Sequence, residues 1–382
     1  MLPSNQLQTE IARFEAFLQA DPANPHLLRE LGERLHHAGR LDEALACFRQ
    51  ITALTPDSAI ARSRIASVYL SQGQFGEAST ALAELIAGGD TSPALQHNLG
   101  LALYYQDRYA DAALAFQAAQ AGGITDAANA KYLAHCLHHE GELDAAAAAC
   151  EQWVQAADGP ESKGYLSLLA FDQGERARAG ALASAVLDEQ PDSIDANAVA
   201  GSLALEEQQM DVASRCFARI LSQRQDNGRA WLGMGLTYLH AEQHSQAIDA
   251  MSRASTCMPG HAGTLVALGW TRLNAGDAAG AEVEFRRAIG ADRNFAETHG
   301  GLAAALVHLQ RIDEAKQAIT VANKLDARNF GAIYARAAML KLDGEASLAD
   351  RLVMRALQQS ALEGTPSLSA QLARFLQMRG KI

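Results

Sequence analysis

Cys136 and Cys150 bracket His138, His139, Glu140 and Glu142 in the segment CLHHEGELDAAAAAC. Thiolate, imidazole and carboxylate are the groups that hold zinc, and a zinc ion with an open position would supply a Lewis acid or an activated water. One ion can take ligands from two elements only where the backbone aims them at a common point, so the elements carrying these residues decide the matter. No second catalytic pattern accompanies the segment: the chain has no G-x-S-x-G, no H-E-x-x-H and no paired C-x-x-C. Its Gly-Gly pairs at 88–89, 122–123 and 300–301 lack the Lys-Ser/Thr that a phosphate-cradling loop requires.

The totals narrow the class further. The chain has 382 residues with hydrophobic residues at 48%, yet aromatics supply only 6% and proline only nine positions. An apolar fraction dominated by alanine suits closely packed helices, and runs of β-branched residues that would mark strands are missing. A net charge of −12 argues against a phosphate-reading surface and against anionic membranes, so neither nucleic acid nor membrane is expected as a partner. The amino terminus shows no basic region followed by an apolar core, and no stretch approaches ~20 consecutive apolar residues. Five scattered cysteines fit reduced thiols in a cytoplasm better than a disulfide framework.

Self-similarity settles the elements. GRLDEALACF (39–48), GQFGEASTAL (73–82), DRYADAALAF (107–116) and GELDAAAAAC (141–150) recur every 34 residues, and six further copies follow with a single spacing of 33 near Gly159-Pro160. Counting from Pro25 as position 1, position 20 is alanine in every copy, from Ala44 to Ala349, and position 8 is always Gly, Ala or Ser. Two small residues 12 apart, with a turn between, are what two antiparallel helices need where their backbones approach closely. Larger apolar residues fill positions 7, 11 and 24, as with Leu99, Leu103 and Phe116. Glycine at position 15 in six copies suits a left-handed helix end, and Asp or Ser at position 18 suits a cap or a dipole complement for the second helix.

This pattern closely resembles the tetratricopeptide repeat, a helix–turn–helix unit of 34 residues. AWLGMGLTYL (230–239) with Ala247, Ala254 and Pro259 is the best single match to its W-x-x-L-G-x-x-Y…A…F…A…P signature, with Met234 and Met251 at the usual Leu and Phe. The resemblance implies an all-α fold, a right-handed α-solenoid of stacked antiparallel helix pairs. The expected organisation is an N-terminal capping helix (1–24), ten repeats (25–58, 59–92, 93–126, 127–159, 160–193, 194–227, 228–261, 262–295, 296–329 and 330–363) and a C-terminal capping helix (364–382). Trp153 at a usual alanine and Arg176 at a usual apolar position predict irregular packing between the fourth and fifth copies, where the one-residue deletion also falls.

In such arrays the first helices line a concave groove. At about 100° per residue, positions 4, 7, 8 and 11 form the buried stripe and positions 2, 5, 9, 12 and 13 face away from it. In the third to fifth copies that face carries His97, Leu101, Tyr104, Tyr105, Lys131, His135, His138, His139, Leu168 and Phe171, with Asn98, Tyr132 and Tyr165 beside it. A second, more apolar strip is expected from Leu232, Leu236, Leu239, Val266, Trp270 and Leu273. Gly300, Gly301 and Ala304 of the ninth copy are expected to leave room for a bulky group. The Lys/Asn clamp of family members that hold chaperone C-termini is not met, since Arg29, Ser63 and His97 occupy position 5 and Glu33, Ser67 and Leu101 occupy position 9.

The expected function is therefore a non-catalytic, cytoplasmic scaffold or adaptor that binds a peptide segment or helix of a protein partner, without cofactor or metal. Chains built only of such repeats suggest, by analogy, a chaperone-like accessory of bacterial secretion, pilus or polysaccharide assembly. The alternative is a regulatory subunit that docks on a separate catalytic chain. In the repeat frame Cys136 and Cys150 fall on different helices at positions 10 and 24, and His138 and His139 end the first helix. A shared zinc is not expected there.

Overall fold

The computed structural model describes residues 4–362, and among these the chain forms helices only. In order they are α1 (Ser4–Ala20), α2 (Pro25–His37), α3 (Leu41–Leu54), α4 (Ala59–Ser71), α5 (Phe75–Ala87), α6 (Pro93–Tyr104), α7 (Tyr109–Ala121), α8 (Ala127–His139), α9 (Leu143–Ala156), α10 (Pro160–Asp172) and α11 (Arg176–Glu189). They continue with α12 (Ile194–Glu206), α13 (Met210–Gln223), α14 (Gly228–His240), α15 (His244–Cys257), α16 (Ala262–Asn274), α17 (Ala278–Ala291), α18 (Ala296–His308), α19 (Ile312–Leu325), α20 (Phe330–Leu342) and α21 (Ala346–Leu362). The chain divides into two compact units, Met1–Leu182 and Ala183–Ile382, with the boundary inside α11. Each unit is a run of stacked antiparallel helix pairs. The C-terminal capping helix expected over 364–382 lies outside the described residues.

The turns show why the pairs form. After each first helix an amide reaches back five residues, as from Arg40 to Leu35 O (2.9 Å), Arg108 to Leu103 O (3.1 Å) and Glu142 to Leu137 O (2.9 Å). That bond needs a left-handed residue just before it. Glycine supplies it at Gly39, Gly73, Gly141, Gly174, Gly276 and Gly344, with φ between 73° and 86°. In the other four turns Asp107, Gln208, Glu242 and Gln310 are forced to φ between 57° and 61°, against the steric preference of a side chain. First helices often have side-chain caps, from Asn24, Ser58, Asp126, Asn227, His261 and Asn329. The second helices mostly do not. At position 18 of α9 the residue does not cap, because the short turn gives that place to Glu142. Asp144 stands in the first turn of α9 as a dipole complement and accepts from Gln173 Nε2 at 2.8 Å.

Packing within each pair is a size match. Position 20 is fully buried throughout, from Ala44 to Ala349. A Cβ placed on Gly32, Gly100, Gly201, Gly235 or Gly269 would approach Phe48, Phe116, Phe217, Met251 or Phe285 to between 2.5 and 2.9 Å, inside any real carbon contact. Glycine at position 8 thus coincides with Phe or Met at position 24 in all five copies that have it. Where position 8 is Ala or Ser, position 24 shrinks to Leu82, Cys150, Ala183, Ile319 or Val353. Close packing allows the large residue on one helix or the methyl on the other, not both.

The irregularity foreseen after the fourth copy is a local substitution of volumes. Cys150 at position 24 is smaller than the usual Phe, and Trp153, one turn later on α9, is 4% exposed and packs against His135 and Tyr165 with ring centroids 6.0 and 6.2 Å apart. The shortened α9–α10 loop is tied by Ser162 Oγ, which donates to Ala157 O (2.8 Å) or Gly159 O (3.1 Å) and accepts from Gly159 N (3.4 Å). Arg176 does not break the next turn: it donates to Phe171 O and lays its guanidinium 4.2 Å above the Phe171 ring.

Candidate functional site

The sequence-predicted residues of the third and fourth copies come together as one web of rings. Position 12 of α6 carries Tyr104, whose centroid lies 5.4 Å from Tyr105, 5.0 Å from Tyr132 and 6.3 Å from His135. The Tyr104 hydroxyl sits 3.3 Å from His135 Nδ1, and the Tyr105 and Tyr132 hydroxyls are 3.1 Å apart. On its inner side Tyr132 stacks on Phe116 at 5.8 Å, so a core ring supports a surface ring. His138 lies between the Tyr165 hydroxyl (Nδ1, 2.8 Å) and Asp172 (Nε2, 2.9 Å), which links α8 to α10. His97 Nδ1 donates to Asn129 Oδ1 at 3.0 Å. Lys131 is held by Glu161 at 2.5 Å and lies over Trp153.

Burial sorts these residues. Tyr105 keeps 50% of its surface in solvent, and His139 is exposed. His97, Asn98, Leu101, Tyr104, Lys131, Tyr132, His135, His138 and Phe171 are half-buried. Tyr165 and Leu168, each 9% exposed, are part of the packing, so they support the web from beneath and are unsuited to direct contact.

Burial, with the nearby Lys131 cation adding to it, pushes His135 down to about 4. The same two kinds of cause, burial and then the neighbouring His138, lower His139. Burial raises Tyr104 and Tyr132, and burial plus the bond to Asp107 raises Tyr109 to about 12. Near neutral pH this surface therefore presents phenols and uncharged His135, with hydroxyls and ring nitrogens at its edges.

Two rings escaped the search of first-helix positions because they start second helices. Phe75 stacks on Tyr105 at 4.7 Å, and Tyr109 stacks on His139 at 4.0 Å. Both stand at position 17, and a column of aromatics there in consecutive copies was the available signal.

The second expected strip is corrected. Leu239, Val266, Trp270 and Leu273 are between 0% and 8% exposed and belong to one core, with Leu236 packed against it. Trp270 meets Phe285 at 5.8 Å and Tyr334 at 5.5 Å, so it is core and not an open anchor. The bare ninth copy leaves no room either. A Cβ on Gly331 would come within 2.6 Å of the Gly300 carbonyl carbon, and a Cβ on Gly301 would strike Phe285. Glycine there serves close approach of α18 and α20, because neighbouring first helices meet at those positions.

Nor do the opening cysteines and histidines converge. Cys136 and Cys150 are fully buried, and burial lifts the Cys136 thiol to about 12. Cys150 is aimed at Ser162 O, at 3.5 Å, while His138 and His139 are engaged as described. Among the described residues no group of three or more His, Cys, Asp or Glu is placed to hold a metal ion. No helix among them is long and apolar enough to cross a membrane.

Comparison with known proteins agrees with the helix-pair architecture. Models of the tetratricopeptide repeat match residues 35–99, 97–161 and 198–262. A chain of the APC/C hetero-tetramer Cut9–Hcn1 has a TM-score of 0.54 at 16% identity, over 78% of this chain and 60% of that one. The human IFIT1 dimer with m7Gppp-AAAA has a TM-score of 0.51 at 16% identity, over 88% of this chain and 90% of that one. At such identities both show a shared fold. Comparison with curated protein sequences finds no match. With repeat models spaced along both units and helix pairs at the repeat's period, the chain belongs to the tetratricopeptide-repeat family, whose members generally serve as protein-interaction scaffolds.

Proposed function

We propose that this chain acts by binding and not by catalysis, and that it docks a peptide segment of a protein partner on the ring web of α6 and α8. One observation carries the reading: Tyr104, Tyr105, Tyr132 and His139 gather along α6 and α8 as a surface of polar-edged rings, and half of Tyr105 remains in solvent. Aromatic side chains with a polar edge are the usual anchors of such contacts. Phe116 and Tyr165 hold the rings from below, so little side-chain entropy is lost on binding. The described cysteines carry no disulfide, and that suits a scaffold working in the reducing cytoplasm.

A photo-crosslinking amino acid placed at Tyr105 tests the proposal, with the same group at Val283, which is 56% exposed in the other unit, as the comparison. In source cells, position 105 is expected to trap a discrete protein adduct that position 283 does not, and Tyr132→Ala is expected to abolish it. Equal labelling from both positions, or an adduct indifferent to Tyr132→Ala, overturns the proposal.

A further inference from the structure

We propose that Asp107 is a positioning residue for the docking surface: its carboxylate pins the Tyr109 ring against Tyr104 and His139, and so fixes that edge of the web before a partner arrives. This inference rests on the docking reading and adds the residue that pre-organises the site.

Asp107 holds its left-handed φ of 57° in the turn after α6, and Tyr109 opens α7 two residues later. The Tyr109 hydroxyl donates to Asp107 Oδ1 at 2.7 Å. A hydroxyl on a carboxylate makes a charge-assisted bond, roughly twice as strong as a neutral one. Burial together with this bond raises the Tyr109 phenol to about 12, so its proton stays in place across the neutral range. The ring held in this way lies flat on His139 at 4.0 Å and meets Tyr104 edge-on at 5.6 Å. Tyr104 in turn touches both Tyr105 and Tyr132. One bond at the turn therefore bears on the rings offered to a partner.

The other copies supply the contrast. Six turns place glycine where Asp107 stands, and glycine has no acceptor to offer. The remaining three carry Gln208, Glu242 and Gln310, followed two residues on by Met210, His244 and Ile312, none of which has a hydroxyl. In the second copy Phe75 takes the place of Tyr109, and Gly73 that of Asp107. Hydroxyl and acceptor occur together, in the one copy whose first helix ends in Tyr104-Tyr105. Glycine would satisfy this turn without the steric cost of a left-handed side chain, and what the carboxylate adds is its hold on Tyr109.

Two readouts on the full-length protein test this. The first needs no partner: the His139 ring proton signals, assigned by their loss in His139→Gln, lie under the ring current of the stacked Tyr109. Asp107→Gly and Tyr109→Phe should each move them toward the unstacked position, and Asp107→Asn should not. Asparagine keeps an oxygen for the hydroxyl and tolerates the φ of 57°. The second readout is the affinity of a synthetic dodecapeptide, selected by phage display on the parent protein and weakened by Tyr105→Leu. Asp107→Gly should weaken it about threefold to tenfold, since the ring must then be ordered on binding. Tyr109→Phe should do the same, the double variant should lose no more than either single one, and Asp107→Asn should recover most of the loss. His139 signals unmoved by Asp107→Gly, affinity unchanged in Asp107→Gly, full affinity in Tyr109→Phe, or no recovery in Asp107→Asn would each overturn this inference and leave the docking reading standing. A library that yields no peptide sensitive to Tyr105→Leu overturns both.

Discussion

Tyr109 and His139 stack face to face, with centroids 4.0 Å apart and planes within 7°, joining the start of α7 to the end of α8. The contact links two consecutive helix pairs at the edge where the candidate surface lies. Its contribution can be isolated by a double-mutant cycle of Tyr109→Ala and His139→Ala in urea denaturation. We expect a coupling of about 0.5–1.5 kcal/mol beyond the two separate losses. Strict additivity would mean that the rings lie together without mutual stabilisation.

The match between Gly100 and Phe116 predicts a loss and a specific rescue. Gly100→Ala forces its methyl to within 2.7 Å of the Phe116 ring and should destabilise the chain by about 1–3 kcal/mol. Adding Phe116→Leu should recover part of this, because Ala66 with Leu82 already exists in the preceding copy. The denaturation midpoints of the single and double variants decide it. A double variant no better than the sum of two losses would refute the size match.

Gln310 holds φ at 59° in a turn where other copies use glycine. The left-handed conformation disfavours a side chain by ~1–2 kcal/mol, while glycine adds ~0.4–1 kcal/mol of unfolded-state entropy. Gln310→Gly is therefore expected to stabilise the chain by a few tenths to about 1 kcal/mol, read as a higher thermal midpoint. A lower midpoint would show that the side chain, and not the backbone, matters at this turn.

Stability should fall in mild acid. The folded chain holds His135 at about 4, below its ordinary value of 6.5, so the unfolded chain binds this proton first. Stability then rises with pH between about 4 and 6.5 and is fully present above that window, with up to ~3 kcal/mol attached to this one group. The directions at His36, His139, His261 and His308 have the same sign. Urea midpoints at pH 8, 6 and 5 should decline, and His135→Asn should decline less steeply than the parent. Parallel declines would place the effect elsewhere.

The period and the invariant small residues already determined the helix pairs, because close approach of two helices restricts residue type at fixed spacing whatever the surroundings. The pairing of Gly with Phe or Met across positions 8 and 24 was equally legible, since it is a local volume constraint within each pair. Only the tertiary structure decided which outward-facing residues remain outward. Trp270, Leu273 and Val266 lie at positions 9, 12 and 5, in the same outward-facing set as Tyr104 and His138, yet they enter a core while Tyr105 stays half in solvent. Helical period gives the direction of a side chain from its own axis. What meets it there depends on the pairs that follow: Gly300 on α18 and Gly331 on α20 bring these two helices together, and Tyr334 of α20 packs against Trp270. The cysteine–histidine segment follows the same rule. Its residue types suggested a metal, and the two helices carrying them send the thiols inward and the imidazoles to Tyr109, Tyr165 and Asp172.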